Sequence, residues 1–365
     1  MGLHCGIIGI ANSGKTTLFN CISKTKAQTS DYAFSSNKSN IGIINVPDNR
    51  LGILERFQPT DKVVPATVNI VDIPGLTKGS GRGEGIGNTF LADIRNADAL
   101  IHILRCFDNE NLPHIDGSVD PVRDIETIDI ELQIKDLESV QKKIARMEKL
   151  IKTGDKEARK IMEILKIYEE HLENMNNART APVKEEDKKH IDDLALLTAK
   201  PIMFVCNIDE NSINTTNKYV EAVKRALKEQ DVKILSIAAE LESQISKLSG
   251  EDEKKEFLDD YGISEPGVNI LIREAYDLLK LQSFFTIGPK EIRAWTIKKG
   301  ITAPEAAGTI HSDMHRGFIR AEVMKFDDFV ELGSEIAVKN AGKFSVEGKN
   351  YMVQDGDIVH VRFNV

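Results

Sequence analysis

Four cysteines, Cys5, Cys21, Cys106 and Cys206, are all that the 365 residues contain, and no two of them form a C-x-x-C pair. That spacing gives neither a zinc site nor a disulfide framework, and thiols so scattered are expected to be buried as small apolar side chains. Nowhere is there an apolar run of about 18 residues, so no membrane-spanning segment and a cytoplasmic location are expected. A basic excess is missing too: the net charge of −9 excludes a uniformly basic nucleic-acid coat, and any RNA contact has to be local.

With 41% hydrophobic residues the chain can bury a full core, and its length predicts two or three domains. Short apolar runs without polar alternation, at Cys5 to Ile10, Thr67 to Val71, Ala99 to Cys106, Ile202 to Cys206 and Val232 to Ile237, read as buried parallel strands. Helical stretches separate them, which predicts a doubly wound α/β sheet. Between the third and fourth runs, Ile130, Ile134, Leu137, Val140, Ile144, Met147 and Ile151 step by four and three. A break at Thr153-Gly154-Asp155 and a second seam, Ala158, Ile161, Leu165, Tyr168, Leu172 and Met175, predict an antiparallel helical hairpin packed on itself rather than a dimerising coil. After about Leu279 the pattern changes to short alternating strands around a central helix, with Asp355-Gly356-Asp357 as a turn between two of them. The expected boundaries are 1–127 with 199–279, then 128–198, then 280–365.

Gly9-Ile10-Ala11-Asn12-Ser13-Gly14-Lys15-Thr16 matches G-x-x-x-x-G-K-[ST] directly after an apolar strand and before a helical run. In such a loop the glycines let backbone amides approach phosphates, Lys15 neutralises the β and γ oxygens, and the Thr16 hydroxyl ligates magnesium. Asp72-Ile73-Pro74-Gly75 follows the next clear strand, where Asp72 can hold magnesium and the Gly75 amide can meet the γ-phosphate. The tail from Gly79 to Gly87 reads as a mobile switch. Leu76 follows Gly75, so the glutamine that orients water in many small GTPases is absent. Two replacements are open: a potassium ion held by Asn12, or His114 in the loop Asp108 to Pro121.

The base-reading segment is Asn207-Ile208-Asp209-Glu210, where a guanine reader has N-K-x-D. Ile208 stands in the lysine position and Glu210 is a longer carboxylate than the aspartate that accepts from guanine, so guanine loses its anchor. Asn207 is expected to pair with adenine in the bidentate manner of asparagine. Asp209 reading guanine out of register is the alternative, which keeps GTP as the second nucleotide. Ser236 to Leu241, with Ala238 at its centre, should form the last base-side loop.

With these residues in view, the chain resembles the YchF family of Obg-like ATPases along essentially its whole length. The resemblance rests on the phosphate loop, NVPDNRL (Asn45 to Leu51), DIPGL (Asp72 to Leu76), GEGIGN (Gly83 to Asn88), RCFDNENLPH (Arg105 to His114), NIDE (Asn207 to Glu210) and the C-terminal RAWTIKKGITAPEAAGTIH and QDGDIVHVRFNV. It implies a P-loop G domain interrupted by the helical arm and followed by a ubiquitin-like β-grasp (TGS) domain. It also implies slow ATP hydrolysis, and ribosomes, with their large subunit and rRNA, as the partner of a monomer that needs neither membrane nor DNA. The family's phosphate-loop asparagine, associated with potassium, falls on Asn12, and its catalytic-loop histidine falls on His114. Nucleotide contacts are thus expected from Asn12, Ser13, Gly14, Lys15, Thr16, Thr17, Asn207, Ile208, Glu210 and Ala238. Catalytic roles fall to His114, Lys15 and Gly75, with magnesium on Thr16, Asp72 and Ser36. Departures lie at Ala11 and Ser13, where the family writes proline and valine, and at Ser35, where it has a cysteine; redox control through that position is not expected here. The rival readings are a GTPase of the Obg class and a nucleotide-gated ribosome-binding adaptor whose hydrolysis is incidental. For RNA, the basic residues Lys290, Arg293, Lys298, Lys299, Arg316, Arg320 and Lys325 form the candidate face.

Overall fold

The structure, a computed structural model, describes residues 3–23, 40–74 and 88–364. The first strand, β1 (His4–Ile8), is buried along almost its whole length and runs into the phosphate loop and then α1 (Lys15–Ser23). The edge strand β2 (Asn40–Asn45) precedes α2 (Asn49–Phe57), the two-residue β3 (Val63–Val64) and β4 (Thr67–Asp72). Then come α3 (Asn88–Asn96) and β5 (Ala99–Arg105), every residue of which is buried. Strands β6 (Ile202–Asn207) and β7 (Lys233–Ile237) complete a six-stranded sheet in the order β2-β4-β1-β5-β6-β7. All neighbours pair in parallel except β2 with β4. Strands with helices on both faces need no polar alternation, which is why five of these six read directly as apolar runs. The sixth, β2, is an antiparallel edge with Ile41 exposed and Ile44 buried, and it carries no such signal.

The arm is formed by α4 (Pro121–Lys152) and α5 (Lys156–Glu173). Asp120 caps α4 through Oδ1, which accepts from the Val122 and Arg123 amides, and Pro121 occupies the first turn, so the helix begins well before residue 128 and the expected boundary falls inside it. The first turns of α4 pack Ile125, Ile128 and Leu132 on the core of the first sheet. This corrects the heptad reading at its N-terminal end, for Ile130 and Ile134 are exposed. Further out, Val140 and Ile144 do meet Leu165, Tyr168 and Leu172 in a separate hairpin core, while Met175 is exposed. The chain returns through the short α6 (Glu185–Lys188) to the segment Leu197–Ala199. There buried Asp136 of α4 accepts from the amides of Leu197 and Thr198 and from the Thr198 hydroxyl, at 2.6–2.8 Å.

Helices α7 (Lys218–Ala226), α8 (Ala239–Ile245), α9 (Glu251–Asp260) and α10 (Gly267–Leu278) lead into the last domain. Its strands are β8 (Leu281–Thr286), β9 (Ile292–Lys298), β10 (Phe318–Lys325), β11 (Ser345–Glu347) and β12 (Asp357–Phe363). They form a sheet in the order β11-β10-β12-β8-β9-β3, so the outer strand is lent by residues 63–64 of the first domain. One face carries α11 (Ala303–Ile310) and α12 (Ser312–Arg316); α13 (Phe326–Leu332) and α14 (Glu335–Asn340) complete the domain. The other face places Phe285, Ile292, Ala294, Met324 and Ile358 in one continuous core with Leu18 and Ile22 of α1 and Leu271 of α10. All four cysteines are buried, as expected. Among the described residues no helix is long and apolar enough to cross a membrane.

Candidate nucleotide site

At the C-terminal ends of β1, β5 and β6 lies a cavity of about 790 Å3, bounded by Ile10 to Thr17 on one side and by Ile208 to Asn211, Ala239 and Glu240 on the other. Ends of parallel strands where the order reverses are where such sheets bind ligands. The register of β1 against β4 pairs Ile7 with Asp72, which brings the Asp72 carboxylate to the phosphate loop, and Lys15 Nζ lies 2.8 Å from Asp72 Oδ1. Thr16 is exposed beside it. Hydroxyl and carboxylate oxygens flanking a phosphate loop are the donors that magnesium takes, so this pair fits that ion. Gly75, Leu76, Ser36 and the glycine-rich stretch from Gly79 to Gly87 lie outside the described residues.

Asn207, the residue expected to read adenine, lines the cavity and also joins its two walls. Its buried amide donates from Nδ2 to the Ser13 carbonyl at 2.9 Å and accepts at Oδ1 from the Ala239 amide at 3.0 Å. One bond at each end of the amide ties the phosphate loop to the base-side loop and leaves one N–H and one oxygen lone pair of this cavity-lining residue for a base. The approach is so close that a Cβ on Gly14, itself at φ +92°, would lie 2.0 Å from Asn207 Nδ2, which is why only glycine fits there. Ile208 is buried in the core of the first sheet at the cavity wall, and its amide bonds the Ile237 carbonyl. Glu210 is positioned by two residues that sequence reasoning missed: Gln244 Nε2 donates to Oε1 at 2.8 Å and the Tyr261 hydroxyl to Oε2 at 3.3 Å. Both come from later helices, and no local spacing announces them. Ala238 is buried behind the wall; its neighbours Ala239 and Glu240 face the cavity instead.

The loop after β5 is built around Arg105. Its fully buried guanidinium donates to the carbonyls of Phe107, Asn109 and Leu112 at 3.2, 3.3 and 2.7 Å, and burial pushes its pKa down. The motif RCFDNENLPH contained this residue, but only the fold shows that it organises the loop. Asn12, held at φ +65°, donates from Nδ2 to the Pro113 carbonyl at 3.1 Å, joining the phosphate loop to the residue next to His114. His114 itself does not line the cavity. It is buried, its Nε2 is 3.3 Å from Asp124 Oδ2, and its Nδ1 accepts from the Asp116 amide at 3.1 Å. An Nδ1 that accepts a hydrogen bond places the proton of a neutral ring on Nε2, facing Asp124. Burial raises the pKa of that carboxyl.

The RNA face expected on the last domain is not a free basic surface. Arg293 pairs with Glu291, Lys299 with Asp277, Arg316 with Asp313, Arg320 with Glu322 and Lys325 with Asp357, which leaves Lys290 and Lys298.

A strand, a glycine-bounded phosphate loop closed by lysine, an aspartate from the adjacent strand and a base-side loop define a P-loop nucleoside triphosphate hydrolase. A family model described as 50S ribosome-binding GTPase matches residues 4–165, and the C-terminal YchF GTPase model, described as a protein of unknown function, matches residues 281–364. The chain is 44% identical to the ribosome-binding ATPase YchF of Haemophilus ducreyi over all of both chains, and 44% identical to that of Bacillus subtilis at the same full coverage. The solved YchF GTPase of Schizosaccharomyces pombe is 32% identical and superposes with a TM-score of 0.88, covering 99% of this chain and 98% of that one. The chain belongs to the YchF family.

Proposed function

We propose that the chain binds ATP in preference to GTP, hydrolyses it slowly, and uses the nucleotide state to control association with ribosomes in the cytoplasm. The observation that carries the base preference is the wall from Ile208 to Glu210. A buried aliphatic side chain occupies the place of the lysine that would lie along guanine, and Gln244 and Tyr261 hold a glutamate where an aspartate would accept from it. Relatives at 44% identity bear the name ribosome-binding ATPase, which supports ribosomes as partner; the 50S description of the matched family supports the large subunit and its rRNA. The short hairpin seams support a monomer.

Lys15 neutralises phosphate oxygens, and its present bond to Asp72 is the one a bound nucleotide exchanges. Magnesium, held by Thr16, Asp72 and Ser36, supplies charge neutralisation across the phosphates when bound. Among the described residues Asn12 bonds through its amide nitrogen, to the Pro113 carbonyl, and the residue is exposed beside the loop, so its carbonyl oxygen is a donor of the kind a potassium ion requires. His114 orients the attacking water once the loop carrying it turns the ring away from Asp124, and Gly75 offers its amide to the γ-phosphate. The bond from Asn12 to the Pro113 carbonyl couples that loop to the phosphate loop, and a cation held by Asn12 would add positive charge there.

Titrations of the nucleotide-free protein with ATP and GTP analogues, in potassium and in sodium, test this reading together with the turnover of His114→Ala. ATP should bind more tightly, potassium should speed hydrolysis, and the variant should bind ATP normally while losing about a hundredfold in rate. Tighter GTP binding restores the GTPase. Unchanged ribosome association in the inactive variant separates an adaptor role from turnover.

A further inference from the structure

The tip of the helical arm carries positive charge that, unlike most of that on the last domain, is left without partners among the described residues. Residues 142–160 hold eight lysines and arginines against Glu148, Asp155 and Glu157, a local charge of +5 in a chain of −9. Lys143 pairs with Asp193 and Lys160 with Asp187. The other six, Lys142, Arg146, Lys149, Lys152, Lys156 and Arg159, are exposed and make no ion pair among the described residues. Lys142, Arg146 and Lys149 step by four and three along α4 and so share one face. One of the three acids is already engaged: Asp155 caps α5, accepting from the amides of Glu157 and Ala158.

Two features make this more than ordinary solvated charge. Exposed helices commonly interleave acids and bases at i, i+4, so that each cation finds a partner; here the row on α4 finds none. Lys156 and Arg159 also open α5, where the positive end of the helix dipole disfavours cations. Lys149 and Lys152 are favoured by the negative end of α4, but the mutual repulsion within the cluster and the place of Lys156 at the start of α5 remain, and an external polyanion relieves both. A regular row of cations also meets an evenly charged backbone better than it meets the irregular carboxylates of an acidic protein.

We propose that the arm tip, Lys142 to Arg159, docks on the phosphate backbone of folded RNA. This deepens, and rests on, the ribosome association proposed above, and it moves the RNA contact from the last domain to the arm. The test compares the full-length protein with the fourfold variant Arg146→Gln, Lys149→Gln, Lys152→Gln and Lys156→Gln, all exposed positions. A second variant, Lys290→Gln with Lys298→Gln, serves as control. Binding to a short double-helical RNA is measured across a salt series, ribosome association by co-sedimentation, and ATP turnover as a check on folding.

The arm variant should turn over ATP normally, bind RNA more than tenfold more weakly, and lower the slope of log affinity against log salt by about three. The control should keep wild-type values. RNA binding and slope unchanged in the arm variant overturn the proposal, as does ribosome binding lost while RNA binding stays intact, which assigns the tip to a protein. Should the wild type bind RNA through the tip yet fail to sediment with ribosomes, the ribosome association falls and the tip's chemistry stands.

Discussion

Asn207 shows how one side chain decides which experiments are informative. An asparagine that read adenine would, when truncated, change the ratio of ATP to GTP affinity. An asparagine that joins Ser13 to Ala239 should lower both affinities together, because it shapes the phosphate loop that both nucleotides share. Asn207→Ala is therefore expected to weaken ATP and GTP analogues alike, by about tenfold or more for the loss of two buried hydrogen bonds, with their ratio unchanged in side-by-side titrations. A ratio that collapses toward GTP would return Asn207 to the base. His102 on β5 is a different kind of buried polar residue: it packs tilted against Phe204 at 5.5 Å between ring centroids, and burial lowers its pKa to about 3. It is a neutral core side chain that the nucleotide site does not use.

Among the elements, α4 belongs to two cores at once: its first turns pack on the nucleotide-binding sheet and its last turns form the arm. The joint lies at Asp136, whose carboxylate is almost fully buried and receives three hydrogen bonds from the returning segment. Asp136→Ala leaves two backbone amides and a hydroxyl without their acceptor, and should cost about 3 kcal/mol, read as a lowered urea midpoint. It should also raise amide exchange across residues 176–199, while Asp136→Asn, which keeps an acceptor oxygen, should recover part of the loss. Equal destabilisation by both variants would show that the charge matters and not the hydrogen bonds. The same helix marks where the sequence was legible. The hairpin was visible because Val140, Ile144, Leu165, Tyr168 and Leu172 pack against one another at helical spacing. The base of α4 was misread because the stripe through Ile125, Ile128 and Leu132 answers to a sheet far away in sequence, and a heptad template has no term for that contact. Phosphate-loop chemistry was legible for the opposite reason: its residues are contiguous, and the β1–β4 register alone brings in Asp72. The partners of Glu210 and the carbonyls around Arg105 depend on tertiary placement, so no local pattern could reveal them.

At the scale of the whole molecule, the first and last domains are not separable beads. Strand β3 pairs with β9, the Thr296 hydroxyl donates to the Thr67 carbonyl at 3.1 Å, and Arg50 of the NVPDNRL segment reaches Asp355 of the C-terminal turn at 2.8 Å. Arg50 also lies 5.0 Å from the centroid of the Phe285 ring, and Asp355 in turn accepts from the Ser283 amide at 3.0 Å. Two segments that no phosphate chemistry explains thus meet as the clasp between domains. Beneath them Phe285, Ile292, Met324 and Ile358 share a core with Leu18 and Ile22, which lie on the helix that follows the phosphate loop. Burying an apolar side chain is worth about 1.5–3 kcal/mol, so a handful of such contacts matches the whole stability of a typical domain, about 5–15 kcal/mol. A chain ended after Lys280 should therefore fail to fold as a nucleotide-binding unit. Circular dichroism should show loss of cooperative melting, and analogue titration should show no binding, whereas the intact chain should melt in one transition. Arg50→Ala should lower the temperature of that single transition without dividing it, because the shared core still joins the domains when the clasp is open. A truncated chain that melts cooperatively and binds ATP would show that the nucleotide domain carries its own complete core and that the last domain is docked rather than built in.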